Sequence, residues 1–269
     1  MRRDHIIATD RTRLESPKAA QPTARSQPFA WLLLVIFAAT IGAQLLSLAF
    51  GRQNVAQDVL SILAPSLVFL SVVTLPLAAL GLALGRGMNL GAPLIAALLQ
   101  RQPGAFRKLR SDAGLAIALG LAAGAVLLLV RQFAHPYLPT ELPAFGHRGV
   151  IGGLSVSLGA AVAEEVWFRL GAMTVLVWIG ARLFGHKTAR PVVAWPAIVI
   201  TAFGFGLAHL PQLMSYGADS PFAIGGTILG NCAVGVLYGW CYWRRSLLAA
   251  IVAHFSVDGV LHVLPALIR

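Results

Sequence analysis

The sequence predicts an all-α protein, a polytopic membrane bundle of about eight transmembrane helices, with seven as the alternative. Of the 269 residues, 57% are hydrophobic and only 12% are charged, and the mean hydropathy is +0.75. A soluble domain is nearer half apolar and a quarter charged. The apolar residues form continuous runs long enough to cross ~30 Å of hydrocarbon. Because these runs do not alternate with polar residues, they exclude a transmembrane barrel and leave helices, which satisfy their own backbone hydrogen bonds.

The first 28 residues differ from the rest of the chain because they are polar and basic. Lys and Arg outnumber Asp and Glu there, and Pro17, Pro22 and Pro28 interrupt any regular pattern. This composition predicts a disordered cytoplasmic tail. A cleaved signal peptide fits less well, because the charged region is long and the apolar run after it exceeds a signal-peptide core.

The apolar runs predict two groups of helices, N-terminal spans over residues 29–149 and a C-terminal membrane region over residues 150–269. Leu170–Phe184 is short for a full crossing. Asp58 and Asp112 precede the second and third spans, where a carboxylate suits a helix N-terminus. The predicted spans are Phe29–Phe50, Val59–Leu84, Ala113–Val130, Val150–Phe168, Leu170–Phe184, Val192–Leu210, Phe222–Trp243 and Ser246–Leu264.

The connection Arg86–Arg110 is long, basic and partly apolar. Leu94, Ala97, Leu98 and Arg101 recur at helical spacing, so the segment could form an amphipathic helix on the membrane surface. An ordinary basic cytoplasmic loop explains the same composition equally well.

The distribution of basic residues places the N-terminus in the cytoplasm, because the tail and the Arg86–Arg110 connection are basic. Farther along, the same rule conflicts with eight spans, which would put the later basic residues outside. A single crossing by Val150–Phe184 would bring them inside and place the C-terminus outside. We favour eight spans on the family resemblance described below. The residues in question are Arg182, Lys187, Arg190, Arg244 and Arg245.

The composition also excludes other classes of protein. The net charge of +11 reflects the basic loops and tail, and no folded basic domain is present to bind nucleic acid. The two cysteines, Cys232 and Cys241, lie nine positions apart in one apolar run. Without a CxxC motif or a Cys/His cluster, they are expected to be packing residues. GxxxG spacing at 120/124, 226/230 and 235/239 predicts close helix packing, not a catalytic role.

A few ionisable residues lie within or at the ends of the apolar runs, where each costs ~2.5–3.5 kcal/mol on insertion scales and marks a function or a buried pair. Those residues are Glu164, Glu165, Asp258, His209, His254 and His262. Three pairs have i, i+4 spacing, which places both members on one helix face: Glu165 with Arg169, Phe205 with His209, and His254 with Asp258. We therefore expect three helices to turn polar faces toward a shared interior. His262 continues the third face and is expected to be structural.

Two chemistries fit such a cluster. A carboxylate beside imidazoles can activate a water molecule, and a nearby histidine and aspartate can donate or orient hydrogen bonds to a developing oxyanion. The same residue types are zinc ligands and could hold a zinc ion with an open position for water. Either chemistry hydrolyses an acyl bond, and both use Glu164, His209, His254 and Asp258.

Three motifs in this order resemble those of a known family. "EEVWFR" (164–169) matches EExxxR, "FGLAH" (205–209) matches FxxxH, and "HFSVD" (254–258) matches HxxxN/D. They resemble the CPBP family of CAAX proteases and bacteriocin-processing enzymes, also called the Abi family. The resemblance covers about residues 150–264. The first 150 residues resemble the family only in being helical spans.

The resemblance implies an eight-helix intramembrane endopeptidase that acts on a membrane-associated peptide or protein. The expected location is the bacterial inner membrane. The resemblance also implies that Glu164 is the general base for water with His209, and that His254 and Asp258 serve the oxyanion. Glu165, Arg169 and Phe205 would support this site. Many descriptions of the family are of metalloproteases, so zinc is an open alternative.

One position departs from the family pattern, because Asp258 stands where the eukaryotic CAAX enzymes have asparagine. An ionised aspartate cannot donate a hydrogen bond. We therefore expect Asp258 to orient His254 or to bind a metal.

Two other functions remain as alternatives. One is a non-catalytic CPBP-like membrane protein, such as a bacteriocin-immunity factor or a scaffold, although all three motifs are intact. The other is a proton-coupled transporter, which would more often show paired broken helices in repeated halves.

Overall fold

The computed structural model describes residues 29–51 and 59–268, and the described residues fold into a helical bundle. The predicted tail, residues 1–28, and Asp58 lie outside these ranges. The helices are α1 (Phe29–Phe50), α2 (Val59–Gly85), α3 (Pro93–Leu99), α4 (Ala105–Ala134), α5 (Gly149–Glu164), α6 (Thr174–Leu183), α7 (Pro191–Ala208), α8 (Leu210–Ser215), α9 (Pro221–Arg244), α10 (Leu247–Asp258) and α11 (Leu264–Leu267).

Two π-helical segments join consecutive α-helices without a break. Glu165–Met173 connects α5 to α6, and Gly259–Val263 connects α10 to α11. Short 3-10 turns follow α2 and α4, at Arg86–Met88 and His135–Tyr137. The polytopic helical bundle predicted from composition is therefore confirmed.

The structure corrects the division of residues 150–184 into two spans. Within the described residues, seven helices are long and apolar enough to cross a membrane, and Gly149–Leu183 is one continuous helix of 35 residues. Arg169 interrupts the apolar run, but it lies inside the helix and is fully buried, so it does not end the helix. The structure therefore matches the seven-span alternative.

The third span begins earlier than predicted, which also corrects the role of Asp112. Helix α4 begins at Ala105, so Asp112 lies within the helix and is buried, not placed at its N-terminus. Its carboxylate pairs with Lys108 Nζ at 2.9 Å and lies 3.7 Å from Arg245 Nη1. The first two turns of α4 are too polar to register as a span, yet this i, i+4 pair supports them as helix.

Three basic connections lie together at one end of the bundle. The amide of Ala189, after α6, donates to the carbonyl of Met88 after α2, at 3.2 Å. The amide of Gly91 donates to the hydroxyl of Tyr242, near the end of α9, at 2.8 Å. Within the Arg86–Arg110 connection, α3 is only seven residues long and buries Leu94 and Ala96.

Small residues bring α10 close to α4 and α9 close to α7. An added Cβ on Gly120 would lie 2.5 Å from the carbonyl oxygen of Ala253, and one on Gly239 would lie 3.0 Å from Ile198. A Cβ at Gly226, in contrast, would meet nothing within 4 Å. The GxxxG spacing thus marks close helix contacts at 120/124 and 235/239 but not at 226/230. These contacts place α5, α7, α9 and α10 around the charged residues described next.

Candidate active site

The two adjacent glutamates stand at the point where the helix changes type. Glu164 is the last residue of α5, and Glu165 begins the π-helical segment. The Thr174 hydroxyl donates to the carbonyl of Arg169 at 3.1 Å, five residues back. Such π segments occur often at functional sites, because the widened turn changes the direction of the side chains that follow.

The predicted Glu165–Arg169 ion pair is present and fully buried. Arg169 Nε lies 3.3 Å from Glu165 Oε2, and neither side chain is exposed. Arg169 Nη2 also donates to the carbonyl of Gly235 at 2.8 Å. The guanidinium carbon lies 5.1 Å from the ring centre of Phe205 and 5.6 Å from that of Tyr238. Glu165, aromatic faces and a backbone carbonyl therefore surround this cation.

The imidazole of His254 joins both glutamates and Asp258. Its Nδ1 lies 2.9 Å from Glu165 Oε1. Because Glu165 is paired with Arg169 as a carboxylate, it accepts and Nδ1 donates. On the other side of the ring, Nε2 lies 3.8 Å from Glu164 Oε2 and 3.6 Å from Asp258 Oδ2. His254 thus connects the first and third motifs directly.

Glu164 differs from Glu165 in what surrounds its carboxylate. The Glu164 side chain is 23% exposed, whereas Glu165 is completely buried. The Oε2 atoms of both glutamates lack a hydrogen-bond partner among the described residues, but that of Glu165 lies 3.3 Å from the Arg169 cation, whereas that of Glu164 lies 3.8 Å from His254 Nε2. His254 and His209 both lie within electrostatic range of Glu164. A carboxylate oxygen without a protein partner at a partly open site can accept a proton from a small molecule.

His209 lies at the C-terminal end of α7 and is linked to the cluster through Phe205. Its Nδ1 lies 2.8 Å from the carbonyl oxygen of Phe205. A carbonyl can only accept, so Nδ1 carries the hydrogen and Nε2 of the neutral ring is an acceptor. The Phe205 ring packs edge-on against both His209 and His254, at 4.7 and 5.8 Å between ring centres.

The structure therefore brings the predicted residues of all three motifs into one cluster, with His209 joined to the others through Phe205. The sequence interpretation missed two members, Gly235 and Tyr238. The carbonyl of Gly235 accepts from Arg169, and the Tyr238 ring stacks on His254 at 4.5 Å and 11°. Their signal was the GxxxG spacing 235/239, which was interpreted as helix packing and nothing more.

A metal ion does not fit these side chains as they are arranged. Across residues 29–51 and 59–268, no group of three or more His, Cys, Asp or Glu side chains could hold one. Both His254 nitrogens face carboxylates, and Nδ1 of His209 is taken by a carbonyl. Hydrolysis at this cluster is therefore described below with the side chains alone, and metal analysis of the purified protein tests the zinc alternative.

A comparison with protein families matches residues 147–260 to the family described as Type II CAAX prenyl endopeptidase Rce1-like. The matched region contains every residue of the cluster and excludes the first three candidate spans. Comparison with curated proteins and with solved structures gives no match.

Proposed function

We propose that the chain is an intramembrane endopeptidase that activates water with Glu164. Its substrate is a membrane-associated peptide or protein. Residues 147–260 match the Rce1-like CAAX prenyl endopeptidase family, in agreement with the resemblance of the three motifs. Prenylated CAAX-type peptides are the class that the family description favours.

The observation that carries this proposal is the different state of two neighbouring glutamates. Glu165 is fully buried, with Arg169 Nε 3.3 Å from its Oε2 and His254 Nδ1 2.9 Å from its Oε1. Neither Glu164 Oε2 nor Glu165 Oε2 makes a hydrogen bond with a described residue, but the Glu164 side chain is 23% exposed and its Oε2 lies 3.8 Å from His254 Nε2. A general base must be free to reach the proton it removes. Glu164 meets that requirement and Glu165 does not.

The reaction balances with these residues alone. Glu164 takes a proton from water, the water oxygen bonds to the substrate carbonyl carbon, and the carbonyl electron pair becomes an oxyanion. His209 accepts a hydrogen bond from the same water through Nε2. When the carbonyl reforms, the C–N bond breaks and the proton on Glu164 passes to the leaving nitrogen. His254 stabilises the oxyanion, and Asp258 orients its ring from 3.6 Å.

A cleavage assay on the purified protein tests this proposal. The probe is a farnesylated CAAX-type peptide with a fluorophore and a quencher on either side of the scissile bond. We expect Glu164→Gln to lower kcat by ~10³-fold and His209→Ala by ~10²-fold, because each removes a group that handles the proton. Glu141→Gln and His135→Ala change exposed residues of the same types and serve as controls.

Wild-type activity in both site variants would reject the chemistry. A wild-type protein that cleaves neither prenylated nor unmodified membrane peptides would favour the non-catalytic alternative.

For topology, we propose seven spans, a cytoplasmic N-terminus and a location in the bacterial inner membrane. The basic connections after α2, α6 and α9 lie at one end of the bundle, as their mutual contacts require. Tryptophans mark that end too, because Trp195 packs against Trp243, and Arg244 lies 5.1 Å above the Trp243 ring. Basic loops favour the cytoplasm, and tryptophan favours the membrane interface.

A further inference from the structure

A hydrolase of this design needs a hydrogen-bond donor for the oxyanion, and the known motifs leave that role incomplete. At the third motif, Asp258 replaces an asparagine, and an ionised aspartate only accepts. Arg169 pairs with Glu165 and donates to the carbonyl of Gly235, and its unpartnered Nη1 belongs to a side chain with no exposed surface, so it does not reach a substrate. His254 donates through Nδ1 to Glu165, which leaves the oxyanion one imidazole nitrogen, Nε2, and that nitrogen also lies near Glu164 and Asp258. A neutral donor outside the three motifs would complete the role.

Tyr238 is the residue that meets this description. It projects from α9, is 1% exposed, and stacks its ring on His254. Its hydroxyl makes no hydrogen bond with any described residue, whereas Tyr242, one turn later on α9, bonds both Gly91 and Thr174. The Tyr238 hydroxyl oxygen is not among the fully enclosed polar atoms without a partner, so it keeps a small accessible surface from which it can donate its hydrogen to a bound molecule.

The electrostatic surroundings of the hydroxyl fit a donor role. Asp258, Glu165 and Glu164 all lie within electrostatic range of Tyr238. The guanidinium carbon of Arg169 also lies 5.6 Å from the Tyr238 ring centre. A phenol is ordinarily neutral at physiological pH and so has a hydrogen to donate. The stacked ring also fixes the phenol relative to His254, so donor and imidazole share one orientation. Preorganised donors of this kind stabilise oxyanions because they need no reorganisation during the reaction.

We propose that Tyr238 donates its phenolic hydrogen to the oxyanion formed when water attacks the substrate carbonyl. In this role it supplies the neutral donor that Asp258 cannot be. The inference rests on the proposed hydrolysis at Glu164 and adds a fourth helix, α9, to the reacting groups.

The test compares Tyr238→Phe with Tyr242→Phe on the farnesylated peptide described above, measuring kcat, KM and thermal stability in the same detergent. Both substitutions delete one buried hydroxyl from α9 and keep the ring. We expect Tyr238→Phe to lower kcat by ~10²-fold with KM nearly unchanged, since the lost bond exists only in the transition state. We expect its Tm to equal or exceed that of the wild type, because the hydroxyl has no described partner. Tyr242→Phe should lower Tm, because it leaves the Gly91 amide unpaired. Its kcat should stay within about threefold of the wild-type value, because the Tyr242 hydroxyl bonds Gly91 and Thr174 and not the residues of the cluster.

Including Glu164→Gln in the same series separates the two claims. Loss of cleavage in Glu164→Gln with a near-wild-type kcat in Tyr238→Phe would overturn the inference and leave the proposed function intact. A lowered Tm in Tyr238→Phe, with kcat reduced no more than in Tyr242→Phe, would also overturn it, because the hydroxyl would then be structural. Full activity in Glu164→Gln would reject the hydrolytic mechanism and the role of Tyr238 with it.

Discussion

Glu164 and Glu165 show how one position along a helix separates two roles. Glu165 shares its oxygens between Arg169 and His254, whereas Glu164 Oε2 lies 3.8 Å from Nε2 of His254. The i, i+4 spacing predicts the Glu165–Arg169 pair because both residues lie on one helix. The contact of Glu165 with His254 joins residues 89 positions apart. No local pattern in the sequence contains that contact.

The buried pair makes a prediction about stability. Arg169→Gln should lower the free energy of unfolding by ~3–5 kcal/mol, because Glu165 is left as an uncompensated buried charge. Denaturation of the purified protein in detergent measures this, with the exposed Arg110→Gln as control. The double variant Glu165→Gln/Arg169→Gln should lose less than the two single variants together. Additive losses would show that the two side chains do not interact.

The arrangement of the side chains that could bind a metal leads to a prediction about metal dependence. Dialysis against a chelator should leave kcat within about twofold of the starting value, because the described side chains form no three-ligand group and the proposed chemistry needs none. Metal content and activity are measured on the same samples. Stoichiometric zinc that is lost together with activity, and restores it when added back, would establish the zinc alternative.

At the scale of elements, the π-helical segment 165–173 explains both a success and a failure of the sequence interpretation. Hydropathy located every helix that the structure shows as a candidate span, and the bounds of α1 agree fully. Hydropathy also divided 150–184 into two, since a buried arginine and a helix-ending charge look identical in a hydropathy profile. A buried arginine is distinguished from a helix-ending one by its partners. For Arg169 one partner is the carbonyl of Gly235, which lies on another helix and so is not visible in a hydropathy profile.

Tyr238 and Gly235 were missed for a related reason. Tyrosine and glycine in an apolar helix have ordinary packing roles, and GxxxG spacing predicts close approach without saying what approaches. In the structure, an added Cβ on Gly235 would lie 3.3 Å from Arg169 Nη2. GxxxG spacing predicts that another helix backbone approaches the glycine. In this protein Gly235 also leaves room for the charged side chain of Arg169 from another helix.

Helix α2 supports the π segment by close backbone contact at Gly81. An added Cβ there would overlap the carbonyl group of Leu170, which is fully buried. We expect Gly81→Ala to lower stability by ~1–3 kcal/mol and to reduce cleavage, because the π segment must move away from its packed position. Gly114→Ala is the matched control in α4, where an added Cβ meets nothing within 4 Å. This control should be neutral or stabilising, since alanine favours helix over glycine. Equal Tm values for the two variants would refute the close contact.

At the scale of the whole molecule, seven spans reconcile the basic loops with one orientation. With a cytoplasmic N-terminus, the connections after α2, α6 and α9 all fall inside, so the conflict found with eight spans disappears. The sequence was compatible with seven or eight spans, and the continuity of the helix Gly149–Leu183 favours seven.

Cysteine labelling distinguishes the two topologies. In a Cys232→Ala/Cys241→Ala background, Lys187→Cys and Asp219→Cys each place one thiol at an exposed loop position. With seven spans, a membrane-impermeant maleimide should label Asp219→Cys in intact cells and Lys187→Cys only after permeabilisation. Eight spans with the same N-terminus would give the reverse pattern.

The central claim is that this bundle hydrolyses a peptide bond with a water molecule activated by Glu164. The most direct measurement is mass spectrometry of the peptide products formed in water enriched in oxygen-18. The wild-type protein should produce a new carboxyl terminus that carries one oxygen-18 atom, and Glu164→Gln should produce it at ~10⁻³ of that rate. Labelled product formed at the wild-type rate by Glu164→Gln would contradict the account.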